Sequence, residues 1–187
     1  LYWFLRTPPG FAVAMMRKTH LPLIALVLSA ACSAGAQQPA AECPPPDGVA
    51  LQVLGSGGPI ADDGRASSGY IVWVDGRSRV LVDAGGGTFL RFGEAGASFV
   101  DLDFVGLSHF HTDHSADFPA LLKSGNFSGR EAPLPVTGPG PGGPFPGLAS
   151  WLDSMLAART GAYGYLSGYL DGSGRLVKLV PREIDRD

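Results

Sequence analysis

Three histidines and one aspartate fall within a single short stretch of this chain: His109, His111, Asp113 and His114, in the order H-x-H-x-D-H. Imidazole nitrogen and carboxylate oxygen are the ligands that borderline cations such as zinc prefer. In an extended segment residues i and i+2 point the same way, so the rings of His109 and His111 can reach one ion. Asp113 and His114 follow where the chain is expected to turn into a helix running from Ser115 to Lys123. They point to a neighbouring position, where they can hold a second ion. Two ions can share a bridging water, lower its pKa and clamp the attacked group. The rival reading is a polar turn with surface histidines. It leaves unexplained why four ligand-type residues cluster directly after the apolar run Phe104-Val105-Gly106-Leu107.

The elements around this stretch follow from its flanks. Val49–Leu54, Ser68–Val74 and Arg79–Val82 read as three strands joined by short turns, which predicts an antiparallel sheet. Asp75-Gly76 between the last two is a hairpin signal. Asp101–Asp103 leads into a fourth strand, Phe104–Leu107, which delivers His109 at its C-terminal end, where α/β sites lie. Thr88 is a candidate N-cap for a short helix over 88–93. Ala116–Lys123 predicts a helix packed through Phe118, Leu121 and Leu122. A short strand is expected over Leu134–Thr137, then a rigid Gly-Pro surface loop, Gly138–Gly147. Leu148, Leu152, Met155 and Leu156 recur with helical spacing over 148–158. Leu176–Val180 reads as a last strand. Phe110, Trp151, Tyr163, Tyr165 and Tyr169 read as packing residues. The glycine-rich turn after the first strand lacks the lysine-bearing helix of a phosphate loop.

Asp83 ends the third strand before Gly85-Gly86-Gly87. It has two compatible readings: an Asx turn capping the glycines, and a buried acceptor of backbone N–H bonds that fixes the metal loop. Direct ligation of a metal by Asp83 is not expected.

The H-x-H-x-D-H stretch resembles the first metal-binding motif of the metallo-β-lactamase fold superfamily. Leu54-Gly55-Ser56-Gly57-Gly58-Pro59, Gly64-Arg65-Ala66-Ser67-Ser68-Gly69-Tyr70, Val80-Leu81-Val82-Asp83-Ala84-Gly85-Gly86-Gly87 and the Thr112–Leu122 run fit the same family. Together they look most like the branch containing ribonuclease Z and the zinc-dependent arylsulfatases, from about Val49 onward. The resemblance implies an α/β fold of αββα type, a mixed sheet with flanking helices, of which this chain is the N-terminal half. It also implies a binuclear zinc hydrolase. His109 and His111 would hold the first zinc, Asp113 and His114 the second. A metal-bridging hydroxide would attack an ester-type bond, with Asp113 also orienting it and Asp83 in support.

The family completes its site with a later histidine, a bridging aspartate and a final histidine. No histidine follows His114. Asp153, Asp171, Asp185 and Asp187 stand in helix, turn or tail contexts that do not suggest ligands. The chain therefore reads as an N-terminal fragment or truncated product that alone binds metal weakly and has little activity. An uncovered apolar sheet face and an unpaired edge are expected, with poor solubility.

The chain has 187 residues, which suits one domain. Charged residues make up 17%, with 27 glycines and 16 prolines, so loops are extensive. The formal net charge of −3 offers no general electrostatic attraction to nucleic acid. Residues 1–15 read as translated upstream sequence. Residues 16–36 read as a signal peptide: Arg17, Lys18 and His20, then apolar Leu21–Ala31, then Ala34-Gly35-Ala36. Residues 37–48 read as a proline-rich tether and 49–187 as the hydrolase portion. A periplasmic or secreted protein is expected, touching membrane only through the signal peptide or a lipid anchor at Cys32. Cys43 reads as an unpaired thiol. An exported location argues against tRNA, so a small phosphodiester or sulfate ester is the expected partner rather than nucleic acid. A catalytically inactive metal-binding or interaction module, and a β-lactamase or lactonase, are the alternatives.

Overall fold

The computed structural model describes residues 47–184. The readings for residues 1–15 and 16–36, most of the tether, Cys32, Cys43, Asp185 and Asp187 lie outside the described residues.

Six strands form one mixed sheet in chain order: β1 (Val49–Gly55), β2 (Gly69–Val74), β3 (Arg77–Val82), β4 (Phe104–Gly106), β5 (Leu134–Pro139) and β6 (Leu179–Ile184). β1, β2 and β3 pair antiparallel, as expected, and β3 through β6 pair parallel. The β2–β3 turn has positive φ at both central residues, 48° at Asp75 and 72° at Gly76. This is the geometry that matches the twist of the flanking strands and that an Asp-Gly pair supplies.

Period-two alternation sorts the sheet into two faces. Ile71 and Trp73 of β2, Leu81 of β3, Val105 of β4 and Val136 of β5 are buried. The helices α1 (Thr88–Glu94), α3 (Phe118–Gly125) and α4 (Leu148–Leu156) bring Phe92, Phe118, Leu121, Leu122, Leu148, Leu152 and Leu156 into the same core. The opposite face is less covered. Val49, Leu51 and Val53 of edge strand β1 are 74%, 67% and 55% exposed. Among the described residues, the apolar open face and the unpaired edge expected from the pattern are both present. No described helix is long and apolar enough to cross a membrane.

Several boundaries differ from the sequence reading, each for a local reason. The helix expected after the histidine motif is two: a single turn, α2 (Thr112–Ser115), and α3. Pro119 sits in the first turn of α3, where a missing N–H costs nothing. Thr88 does not cap α1. Gly87 holds that place with φ 88°, and the Thr88 hydroxyl donates to the carbonyls of Ser67 and Ser68, at 3.3 and 3.2 Å. The last strand starts at Leu179 rather than Leu176, because Leu176 N–H closes a turn onto Ser173 O. It runs on through Pro181, which an edge strand tolerates. A short helix, α5 (Gly168–Asp171), and 3₁₀ turns over Phe99–Asp101 and Gly164–Leu166 were not foreseen. Tyr169 is fully buried, as a packing reading requires. Its hydroxyl donates to Leu122 O at 2.6 Å, and burial pushes its pKa up to about 12.

Arg130 is an unforeseen clamp. Its guanidinium donates to the carbonyls of Leu102 (2.6 Å), Ala132 (2.8 Å), Val100 (3.0 Å), Pro133 (3.0 Å) and Phe99 (3.3 Å). It ties the Phe99–Asp101 turn, which leads into β4, to the residues leading into β5. A planar fork of donors suits this task, and an ammonium does not. Arg130→Ala is expected to lower stability by about 2–3 kcal/mol, since several carbonyls lose a charged donor. Arg130→Lys should recover less than half. Urea unfolding measures both, and an unchanged midpoint for the alanine variant would contradict the clamp.

Candidate metal centre

The site begins with a strained residue. Asp83 closes β3 with φ 59°, one of three non-glycine residues in the left-handed region among those described, and the residue is 3% exposed. Such backbone persists only when the surroundings over-determine it. Here they do. Asp83 N–H donates to Gly106 O at 2.8 Å, joining the ends of β3 and β4. Its carboxylate accepts the Ser108 N–H at 2.7 Å and the Ser108 hydroxyl at 2.9 Å, and lies 2.8 Å from His114 Nδ1. Asp83 therefore holds the histidine-bearing loop through a backbone N–H. The Asx turn is not formed: the carboxylate spends its oxygens on Ser108 and His114, none on Gly85, Gly86 or Gly87.

The backbone on the far side of the loop is fixed as firmly. Ser68 N–H donates to Asp113 O at 3.0 Å, and Ala84 N–H to His114 O at 2.8 Å. The β3 end comes so close that a Cβ on Gly85 would run into the Asp113 carbonyl, so glycine is required there. The Ser115 hydroxyl donates to His111 O at 2.9 Å and closes the single turn of α2.

These constraints set the imidazoles. His114 Nδ1 is placed to donate to the Asp83 carboxylate, the tautomer that leaves Nε2 as a lone-pair donor. That Nε2 lies 3.5 Å from Asp113 Oδ2. His109 Nδ1 lies 3.1 Å from the Ser108 hydroxyl oxygen. His109 Nε2 then faces His111 Nδ1 at 3.2 Å. The rings of His109 and His114 are 4.0 Å apart. Burial, then the neighbouring His114 and His111, hold the His109 pKa below the usual imidazole range. Both effects favour the neutral form that a metal needs.

A tetrahedral ion with bonds of about 2.0–2.1 Å holds its ligand atoms about 3.3–3.4 Å apart. The His109–His111 and Asp113–His114 donor atoms stand 3.2 and 3.5 Å apart, close to that edge length, so their chemistry and spacing are compatible with a metal ion. Among the described residues no group of three or more His, Cys, Asp or Glu is arranged around one ion. The arrangement is two adjacent pairs of donor side chains. Asp153 lies on α4, and the Asp171 carboxylate accepts Ser173 N–H at 2.8 Å, away from these donors.

Two contacts escaped the sequence reading. Ser108 bridges Asp83, His109 and His114; its place at a strand end beside a buried carboxylate is the signal that points to it. The ring of Phe145 meets the His111 ring edge-on at 5.1 Å. The Gly-Pro loop is thus a wall of the site rather than a remote surface turn. Nothing in the spacing of Phe145 announces this, because the contact depends on how the loop folds back. Phe110 packs as expected, stacked on Trp151 at 4.8 Å.

Asp83→Ala is expected to weaken zinc binding roughly 10–100-fold, the range seen when a carboxylate behind a metal-binding histidine is removed. Asp83→Asn, which keeps one acceptor, should fall between. Competition with a chromophoric chelator reads this directly. Equal affinity in all three proteins would remove the positioning role.

Comparison with known proteins places this geometry. Residues 62–168 match the metallo-beta-lactamase superfamily. Ribonuclease Z of Mycobacterium marinum is 36% identical over 120 residues, covering 63% of this chain and 40% of that protein. Ribonuclease Z of Picrophilus torridus is 39% identical over 89 residues, covering 48% and 28%. The chain spans less than half the length of these curated relatives. Among solved structures, the short form of human tRNase Z superposes with a TM-score of 0.54 at 20% identity, covering 73% of this chain and 46% of that one. The metallo-beta-lactamase fold protein YhfI of Bacillus subtilis gives 0.50 at 23%, covering 75% and 47%. The expectation that excluded nucleic acid in favour of a small ester is thereby corrected, since the relatives are ribonucleases. Net charge averages over the whole surface, whereas a phosphodiester is held by cations and a few local side chains. With the mixed sheet, the histidine loop at the end of β4 and a match over more than half its residues, the chain belongs to the metallo-beta-lactamase superfamily.

Proposed function

We propose that this chain carries the metal loop of a zinc-dependent hydrolase that cleaves phosphodiester bonds in RNA. The single observation that carries the metal part is the pair of donor edges, 3.2 Å for His109–His111 and 3.5 Å for Asp113–His114. The RNA part is supported by the ribonuclease Z relatives. Zinc suits a set of imidazoles and one carboxylate. Held by His109 and His111 and by Asp113 and His114, cations would supply Lewis acidity to the phosphoryl oxygens and lower the pKa of water.

The chain's own residues have definable tasks. Asp83 keeps the proton on His114 Nδ1, so His114 presents Nε2 to the site. Ser108 relays the same carboxylate to His109. Asp113, with a side chain only 12% exposed, orients the attacking water and takes its proton. Phe145 packs edge-on against the His111 ring. Water adds to phosphorus, the P–O ester bond breaks, and a phosphate monoester and an alcohol leave.

A second reading is favoured by one observation, that the donors come in pairs rather than threes. It is a metal-binding module without turnover. The signal-peptide reading of residues 16–36 makes either protein exported, which N-terminal sequencing of the secreted form checks. A mature chain starting at Gln37 is expected.

Two ligands per ion predict weak binding, so dialysed protein should retain less than one zinc per chain by metal analysis. With excess zinc, slow cleavage of a fluorescent RNA oligonucleotide is expected. EDTA should abolish it, and Asp113→Ala should reduce it at least tenfold. Zinc uptake without cleavage selects the inactive module. Neither uptake nor cleavage contradicts both readings.

A further inference from the structure

Away from the metal loop, α1 and α3 flank a cavity of about 450 Å³. That lies within the range of small-ligand sites, about 300–1,000 Å³. Phe89, Phe92, Phe99 and Phe127 line it together with the hydroxyl-bearing Ser98 and Ser124, and none of its lining residues is charged. The metal chemistry uses none of them. Phe127 stands at the rim, 76% exposed. Beyond it the Lys123 ammonium lies 4.8 Å from the Phe127 ring centre and 5.8 Å from that of Tyr165. Tyr165 is 67% exposed and meets Tyr163 at 6.4 Å. Among the described residues no carboxylate pairs with Lys123.

Two exposed rings on one uncompensated cation, next to a hydroxyl-bearing aromatic cavity, have a definite complement. The ligand must have flat faces to stack, a negative charge for Lys123, and an unstacked ring for the cavity. We infer that the Phe127–Lys123–Tyr165 surface and the adjoining cavity bind single-stranded RNA. Bases stack on Phe127 and Tyr165, a phosphate meets Lys123, and a splayed base enters between α1 and α3. Base–aromatic stacking with a cation tracking the backbone is how single strands are held without sequence preference. A duplex hides its base faces and does not fit. An apolar protein partner fits less well, because an ammonium stands between the rings. The inference rests on the RNA reading of the proposed function, and adds to it a substrate-holding surface outside the metal loop.

Binding separates the two. Full-chain protein in EDTA is titrated against a short fluorescein-labelled polyuridine RNA, and anisotropy gives the affinity. Phe127→Ala and Tyr165→Ala are expected to weaken binding roughly tenfold each. Lys123→Ala should weaken it and flatten its salt dependence, and Lys123→Arg should retain it. Ile60→Ala, at an exposed residue outside this surface, should bind as the parent does. Circular dichroism checks that these exposed substitutions leave the fold intact. Parent-like binding by all three alanine variants overturns the inference, as does no binding by the parent, or equal binding of duplex RNA. So does a parent dimer that the Phe127 and Tyr165 variants dissociate while RNA affinity is unchanged, since the surface then holds a second copy. RNA binding through this surface without zinc-dependent cleavage would sustain the inference and sink the hydrolase reading. Cleavage without binding here would do the reverse.

Discussion

The site depends on one buried carboxylate. Asp83 sits in a backbone conformation that an L-residue adopts at a cost, and it is held there by bonds at both ends. Its N–H ties β3 to β4, and its side chain gathers Ser108 and His114. Without it, the loop after β4 would have a strand end and no reason to fold its histidines together. With it, the tautomer of His114 is set, and Ser108 passes the constraint on to His109.

The sheet serves that constraint. The parallel pairing of β3 with β4 brings Asp83 beside Gly106, and so places the carboxylate next to the residue that opens the loop. Gly85 allows β3's continuation to touch the Asp113 carbonyl, and Ser68 and Ala84 bind the loop from the β2 and β3 sides. Arg130 holds the approach to β4 through the carbonyls of Phe99, Val100 and Leu102. The metal donors thus stand on a frame tied at several independent points, which is how a site is held to geometry before any ligand arrives.

The candidate site residues were more legible in the sequence than the frame. His109, His111, Asp113 and His114 announced themselves by type and spacing, and Asp83 by its place at a strand end before glycines. The first three strands and the buried stripe of α4 followed from periodicity. What was not legible depends on contacts between distant segments. Thr88 looks like a cap because caps are local, yet its hydroxyl is taken by Ser67 and Ser68. Phe145 reads as loop filler until the loop folds onto His111. Arg130 carries no pattern, since its acceptors are carbonyls that any sequence would supply. The argument from net charge failed for a related reason: recognition of a phosphodiester is local, and composition is not.

The claim that most needs testing is that the two donor pairs hold metal. Crystals grown with zinc and measured on either side of its absorption edge would locate the ions by anomalous scattering. The account predicts two peaks, one within bonding distance of His109 Nε2 and His111 Nδ1, the other of His114 Nε2 and Asp113 Oδ2, with His114 Nδ1 still on Asp83. Peaks elsewhere, or a cluster that binds no zinc while Asp83 keeps its bonds, would contradict it.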